Sequence, residues 1–229
     1  MNARDRFRRS PAVAVISDFG GVLTRPLLEA FAAYQRRSGI APEDLNGAMR
    51  RSADACGGSH PLFELEKGAI TEAEFLRRLE AELGAGAELH EFRATYFEAL
   101  QPNERMIDYM RDARLRGLRT ALLTNNVREW ELQWRAMLPD IDLMFEVVVD
   151  SAFVGMRKPD PEIYELTLER LGGGLSAEDC VFVDDVEVNC DAARALGMRA
   201  VRFVDTDQAI SELDAALSPE REETRTEGA

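Results

Sequence analysis

Short apolar runs alternate with helical patterns over most of the chain, and this alternation predicts an α/β fold with a parallel sheet. The runs are rich in β-branched residues and are bounded by Gly, Pro or acidic residues, as buried strands are. The predicted strands lie at 12–17, 118–123, 145–149, 180–183 and 199–204. The helical patterns between the later strands favour a Rossmann-like core.

One long interval breaks the alternation, because from Pro26 to about Gln101 the apolar residues recur at helical spacing. Thr71 and Glu74 have the spacing of a capping box, which marks the start of one of these helices. We therefore predict an all-helical cap inserted into the α/β core. The predicted boundaries are 11–25 and 102–217 for the core, 26–101 for the cap, and 1–10 and 218–229 for disordered ends.

The charge of the chain limits its partners. The 229 residues carry a formal net charge of −14, which argues against affinity for nucleic acid or for an anionic membrane. No apolar run approaches the roughly 20 residues of a membrane span, and the basic N-terminus lacks the apolar core of a signal peptide. We predict a cytoplasmic protein, either a monomer or a homodimer.

The cysteines and histidines do not suggest a site. Cys56, Cys180 and Cys190 have neither the spacing of a metal site nor the number for a disulfide framework. His60 and His90 both fall in the predicted cap, away from any matching acid or serine, and are predicted to be surface residues.

Polar residues follow three of the predicted strands at the point where each strand ends. They are Asp18, Thr124, Asn125, Asp184 and Asp185. Open parallel sheets bind ligands beyond the carboxyl ends of their strands, so these residues are expected to converge on one crevice. Lys158 precedes a predicted helix and is expected to face the same crevice. It is one of only two lysines among 28 basic residues.

Phosphate chemistry suits these residue types. A carboxylate such as Asp18 can attack phosphorus and form an aspartyl-phosphate. Thr124 and Asn125 offer a hydroxyl and an amide that can hold phosphoryl oxygens. Lys158 provides a compact positive charge that can touch a carboxylate and a phosphate together.

Two further features point to a cation and to a phosphate. Asp184 and Asp185 are adjacent acids at a strand end and would repel each other unless a cation lay between them. Oxygen ligands of this kind favour Mg²⁺. Gly20 and Gly21 permit a tight turn, so that main-chain N–H groups can point at phosphate oxygens and the Gly20 carbonyl can face a metal.

In order along the chain, these segments resemble the four motifs of the haloacid dehalogenase superfamily, and in particular its subgroup with a helical cap after the first motif. The phosphatase domain of soluble epoxide hydrolases belongs to that subgroup. The resemblance implies a Mg²⁺-dependent hydrolase of small phosphomonoesters. It implies that Asp18 and Lys158 are catalytic and that Thr124, Asn125 and Gly21 bind phosphate. The implied metal site consists of Asp18, the Gly20 carbonyl, Asp185 and Asp184, with Asn189 in support.

Gly20 departs from the pattern, because phosphatases of the superfamily usually carry a second Asp there, which supplies the general acid. General acid catalysis contributes roughly 10²–10⁴-fold. Either the leaving group needs little protonation, or water or a cap residue around His60 to Glu66 substitutes. Phe63, Glu66 and His60 are candidates to line the cap's substrate face.

Two alternatives to the phosphatase stay open. A metal-independent 2-haloacid dehalogenase would use the same aspartate, although such enzymes usually carry Tyr at position 20 and have no need of a paired cation site. The second alternative is a weakly active or non-enzymatic domain that binds a ligand or a regulatory partner.

Overall fold

The computed structural model describes residues 10–25, 27–55, 57–84, 87, 89 and 91–218, in which strands and helices alternate. The strands are β1 Ala14–Ser17, β2 Arg119–Thr124, β3 Val147–Asp150, β4 Cys180–Asp184 and β5 Arg199–Arg202. The helices before β2 are α1 Leu27–Ser38, α2 Pro42–Ala55, α3 Pro61–Glu66, α4 Glu72–Leu83, α5 Phe92–Ala99 and α6 Glu104–Leu115. The later helices are α7 Glu131–Ala136, α8 Ile141–Met144, α9 Ser151–Val154, α10 Pro161–Leu171, α11 Glu187–Ala195 and α12 Thr206–Leu217. The predictions for 1–9, Cys56, His90 and 219–229 lie outside the described residues.

The five strands form one parallel sheet in the order β3-β2-β1-β4-β5. The first strand is therefore the central one: Ala14 pairs with Arg119 on one side and with Cys180 on the other. The parallel α/β core with inserted helices is confirmed. The carboxyl ends of β1, β2 and β4 lie side by side at one edge.

Both faces of the sheet are covered, because successive strand residues point to opposite sides. Val15 contributes to an apolar cluster with α6 and α12, whereas Ile16 contributes to a second cluster with α10 and α11. Both side chains are fully buried. This burial on two faces explains why the strands read as continuous apolar runs rather than as alternating ones.

Helices α1 to α5 lie between β1 and α6 and pack around a third apolar cluster, which also includes Val127 from the segment after β2. The two connections to the core run side by side: Thr24 and Pro102 form an antiparallel bridge, and the Arg25 N–H donates to the Gln101 carbonyl at 2.8 Å. This pairing adjoins the predicted limits of the cap. Among the described residues, no helix is long and apolar enough to cross a membrane.

Two local features differ from what the sequence suggests. The predicted strand at 145–149 begins at Val147 instead, because Phe145 ends α8 and is buried beside it. Asn103 directly precedes α6, at the position of an N-cap residue, but its side chain makes no capping bond and donates to the Val22 carbonyl and to Thr206 Oγ1, both at 3.0 Å. Asn103 thereby links the chain segment between the cap and α6 to the start of α12.

Candidate active site

The site is built around a buried lysine between two aspartates. Asp18 directly follows β1, and its N–H donates to the Val183 carbonyl at 2.9 Å, which fixes it beside β4. Lys158 Nζ lies 2.7 Å from Asp18 Oδ1 and 2.6 Å from Asp184 Oδ2. The lysine is only 1% exposed, so its charge is neutralised by these two carboxylates rather than by water.

Burial and the neighbouring charges shift the pKa values of these acids and of the lysine. Burial raises the pKa of Asp18 to about 7, against the effect of Lys158 and with a further rise from Asp184 and Asp185. Burial also raises the pKa of Asp185 to about 6, and the neighbouring Asp184 carboxylate adds to this rise. Burial alone would lower the pKa of Lys158, but the two carboxylates outweigh it and raise that pKa. Three acids sharing one basic group leave an excess of negative charge at the strand ends.

Asp184 accepts hydrogen bonds at both of its carboxylate oxygens. Its Oδ1 accepts from the Val186 N–H at 2.8 Å and from Asn189 Nδ2 at 3.0 Å, and its Oδ2 accepts from Lys158. Asn189 is held in turn, because the Tyr164 hydroxyl donates to its carbonyl at 2.9 Å. Asp184 and Asn189 thus orient the lysine and each other.

The residues after β2 also contact the lysine. Asn125 Nδ2 donates to the Lys158 carbonyl at 2.9 Å, and Asn125 Oδ1 accepts from the Lys158 N–H at 2.8 Å. The amide predicted to hold a phosphoryl oxygen is therefore engaged in positioning Lys158, with one N–H left over. Thr124 is buried at the end of β2, and its hydroxyl makes only a long contact of 3.5 Å with the Asn125 carbonyl.

The turn after Asp18 differs in detail from its prediction. Gly21 has φ of 78°, and a Cβ there would lie 2.3 Å from Asp185 Oδ2, so only glycine fits without displacement. Its N–H was expected to point at phosphate but donates to Thr24 Oγ1 at 2.9 Å. Gly21 thus lets the first loop approach Asp185.

The acids meet the requirements of a small divalent cation. Asp18, Asp184 and Asp185 each offer a carboxylate oxygen, and these atoms lie within 4.8 Å of one another. A donor set made only of oxygen suits Mg²⁺, which takes one or two carboxylates and keeps several waters. A cation here would also relieve the mutual repulsion that raises the pKa values of Asp18 and Asp185.

A cavity of about 550 Å³ opens above these groups, between the sheet edge and the cap. Six of the predicted site residues line it: Asp18, Gly20, Asn125, Lys158, Asp185 and Asn189. Thr124, Gly21 and Asp184 do not line it. Phe63 and Glu66, two of the three cap candidates, form part of the opposite wall.

Two ion pairs join the cap to the core across this cavity. Arg157 Nε lies 2.7 Å from Glu66 Oε2, with both side chains largely buried, and the Arg157 guanidinium lies 3.9 Å from the centre of the Phe63 ring. Lys67 Nζ lies 2.9 Å from Asp160 Oδ2. No role was predicted for Arg157 or Asp160, although these two residues flank the Lys158–Pro159 pair.

The remaining candidates are packing residues. His60 was predicted to lie on the surface but is half-buried, stacked on Phe63 at 4.4 Å between ring centres. Burial lowers the pKa of His60, and Arg157 adds to this effect. Trp134 is fully buried against Phe19, and Trp130 packs against Tyr96 of α5, so both tryptophans serve the core and its contact with the cap.

The sequence profile of the haloacid dehalogenase-like hydrolases matches residues 12–197. The chain belongs to this family. This match confirms the resemblance seen in the motifs. It also confirms the predicted fold and the prediction that this haloacid dehalogenase-like hydrolase is an enzyme.

Several characterised proteins resemble this hydrolase. A mouse acyl-CoA dehydrogenase family member 10 is 30% identical over 89% of the chain but only 19% of its own length. A bifunctional epoxide hydrolase 2 from Sus scrofa is 30% identical over 88% of the chain and 38% of its own length. The chain thus spans well under half of these two relatives. A sesquiterpene phosphatase from Aspergillus oryzae is 32% identical over 84% of the chain and 90% of its own length.

Solved structures share the fold. A haloacid dehalogenase (HAD) family enzyme from Bacteroides thetaiotaomicron, in complex with magnesium and inorganic phosphate, superposes on this hydrolase with a TM-score of 0.60 at 21% identity. The superposition covers 83% of this hydrolase and 93% of that chain.

Proposed function

We propose that this chain is a Mg²⁺-dependent hydrolase of small phosphomonoesters that works through an aspartyl-phosphate on Asp18. The observation that carries the proposal is the position of Asp18 on the cavity, 2.7 Å from the buried Lys158 ammonium and grouped with two further acids. A nucleophilic carboxylate, a fixed positive charge and an acidic cation site are the groups that phosphoryl transfer requires.

In this proposal Asp18, Asp185, Asp184 and the Gly20 carbonyl hold the metal. Bound Mg²⁺ would neutralise phosphate charge and let a dianionic ester approach a carboxylate. The family's solved structures support this ligand, because one neighbour was determined with magnesium and inorganic phosphate.

The chain's own residues would divide the work as follows. Asp18 attacks phosphorus, and Lys158 balances the charge of Asp18 and of the phosphoryl oxygens. Asn125 and Asp184 keep Lys158 in place through the bonds described above. The Thr124 hydroxyl, which has no short hydrogen bond among the described residues, is free to turn toward a phosphoryl oxygen.

The walls of the cavity favour an apolar leaving group. Phe63, Val186 and Val188 line it and are 43%, 45% and 54% exposed, which leaves their apolar surface to a ligand. The phosphatase from Aspergillus oryzae acts, by its name, on a sesquiterpene, which is an apolar compound. We therefore propose phosphate esters of apolar alcohols as the first substrates to examine.

The experiment is a screen of phosphate esters with Mg²⁺ and with excess chelator, on the wild type and on Asp18→Asn. Hydrolysis that needs both the metal and Asp18 is expected. Undiminished phosphate release in chelator would contradict the metal-dependent reaction. Chloride release from a 2-haloacid in chelator would favour the dehalogenase instead.

A further inference from the structure

The leaving group of an apolar phosphate ester is an alkoxide unless it is protonated, and Gly20 has no side chain to supply the proton. The proton must therefore come from another group on the cavity. Asp18 is the nucleophile in the proposed function and Asp185 belongs to the cation site. Two further carboxyl groups line the cavity among the described residues, Glu66 on the cap and Asp160 on the core.

These two carboxyl groups differ in their exposure to water. The Asp160 side chain is 43% exposed and pairs with Lys67, which is itself 38% exposed. The Glu66 side chain is 15% exposed and pairs with Arg157, which is 13% exposed. Burial disfavours the charged form of a carboxyl group, so the more buried Glu66 is better suited to hold a proton than Asp160.

Arg157 holds Glu66 through only one of the two oxygens of its carboxyl group. Arg157 Nε donates to Oε2, and among the described residues no donor reaches Oε1. Burial raises the pKa of Glu66, and Arg157 and Lys158 only partly offset the rise. Arg157 directly precedes Lys158 in the chain, so it holds the cap carboxyl group at the wall of the cavity that contains the phosphate site.

Other acids near the site are less suitable. Burial raises the pKa of the Tyr96 phenol, and Asp18 and Asp185 add to this rise, so the phenol is a weaker acid. Tyr96 also does not line the cavity. His60 does not line the cavity either, and burial and the neighbouring Arg157 lower its pKa.

We propose that Glu66 is the general acid of the reaction, supplied by the cap in place of the side chain that Gly20 lacks. The inference rests on the proposed phosphatase function. An Asp18 oxygen forms a bond to phosphorus while the bond from phosphorus to the ester oxygen breaks. The electron pair stays on that oxygen, which takes the Glu66 proton and leaves as the alcohol.

The same residue then serves the second step. Water attacks the phosphorus of the aspartyl-phosphate, and the Glu66 carboxylate accepts a proton from that water. Inorganic phosphate leaves, and Asp18 as carboxylate and Glu66 as carboxylic acid are restored. Loss of Glu66 should therefore slow the first step only for poor leaving groups but slow the second step for every substrate.

The test is Glu66→Gln in the full-length chain with Mg²⁺, because glutamine keeps an oxygen to accept from Arg157 but cannot supply a proton. In single-turnover measurements, an alkyl phosphate should react ~10²–10⁴-fold more slowly than with the wild type. The first step with 4-nitrophenyl phosphate should stay within about threefold, since its leaving group needs little protonation. Steady-state reactions should then show a burst of one 4-nitrophenol per active site, from accumulated aspartyl-phosphate.

The matched control is Asp160→Asn, which removes the other carboxyl group of this kind from the cavity and its ion pair to the opposite wall. Asp160→Asn should neither slow the first step with the alkyl phosphate selectively nor produce a burst of 4-nitrophenol. In a second variant, Gly20→Asp added to Glu66→Gln should restore alkyl phosphate turnover by at least ~10-fold. The substitution is reasonable because Gly21, rather than Gly20, has the positive φ in this turn.

Equal losses in the first step for both esters in Glu66→Gln, or no loss in that step for either ester, would overturn the role of Glu66 and leave the proposed phosphatase intact. A wild type that releases phosphate from neither ester would overturn the proposed function itself.

Discussion

At the scale of single residues, Lys158 has a structural role in addition to its proposed catalytic one. It lies between Asp18 and Asp184 with almost no exposure to water, so that each of these carboxylates depends on it for a counter-charge. Removing one partner of a buried ion pair is costly because the other charge stays buried. The arrangement suits an ammonium group, since the planar guanidinium of arginine is larger and binds in a fork.

Lys158→Ala should therefore destabilise the fold as well as abolish turnover. We expect the free energy of unfolding in chelator to fall by about 3–5 kcal/mol, from urea titrations at neutral pH. The matched control is Lys67→Ala, which removes the chain's other lysine and its partly exposed pair with Asp160, at a cost below about 1 kcal/mol. Equal stability of the two variants would contradict the importance of the buried charges.

Gly21→Ala should disturb the proposed cation site directly. The new Cβ would lie 2.3 Å from Asp185 Oδ2, so Asp185 must move, in addition to the strain of φ at 78°. Gly117→Ala is the control, because its φ is 86° but nothing lies within 4 Å of a Cβ there. Both should lose about 1–2 kcal/mol of stability from strain. Calorimetry should find weakened Mg²⁺ binding only in Gly21→Ala, and unaltered binding in that variant would be a contrary result.

At the scale of elements, the start of α9 contains an acid in an unfavourable setting. Asp150 caps this helix by accepting from the Ala152 N–H at 3.0 Å, but its Oδ2 is buried without a hydrogen-bond partner among the described residues. Burial raises the pKa of Asp150 from 3.8 to about 6. The folded protein thus binds a proton that the unfolded chain releases between these pH values, and stability falls as the pH rises through this window.

Asp150→Asn should remove this pH dependence while it keeps the capping oxygen. We expect the difference in unfolding free energy, variant minus wild type, to increase by up to about 3 kcal/mol as the pH rises from 4 to 7. Urea titrations at several pH values measure the difference. If the two proteins had parallel stability curves, the Asp150 carboxyl group would not titrate between the folded and unfolded states as its burial implies.

At the scale of the whole molecule, the cavity belongs to both the core and the cap. Phe63 and Glu66 come from α3, whereas Val186 and Val188 come from the connection between β4 and α11 and from α11 itself. The Arg157–Glu66 and Lys67–Asp160 pairs join the two walls. We predict that the cap opens by breaking these pairs and selects substrates when it closes.

Phe63→Ser should reduce the preference for apolar substrates. We expect the ratio of kcat/KM for isopentenyl phosphate to that for glycerol 3-phosphate to fall by about tenfold, because a hydrophobic contact discriminates by 1–3 kcal/mol. Leu132→Ser is the control, since Leu132 is an 83% exposed apolar residue that does not line the cavity. An unchanged ratio in Phe63→Ser would mean that the cap wall does not contact the leaving group.

The sequence predicts the sheet and the strand-end acids well, because both follow from rules that act locally. Asp18, Asp184 and Asp185 each follow an apolar run, and parallel strands bring such ends together. The pair between Arg157 and Glu66 could not be predicted, because it joins residues far apart in the chain, and its formation depends on how α3 docks on the core. The bond from the Gly21 N–H to Thr24 likewise depends on side-chain placement within the loop.

The central position of β1 affects how the protein is made. Val15 and its neighbours leave the ribosome before β2 and β4, the two strands with which they pair. The middle of the sheet cannot close until β4 has been synthesised, whereas the contacts within the cap helices are available earlier. During that interval an apolar strand with two unpaired edges is exposed, and such an exposed edge favours aggregation of the nascent chain.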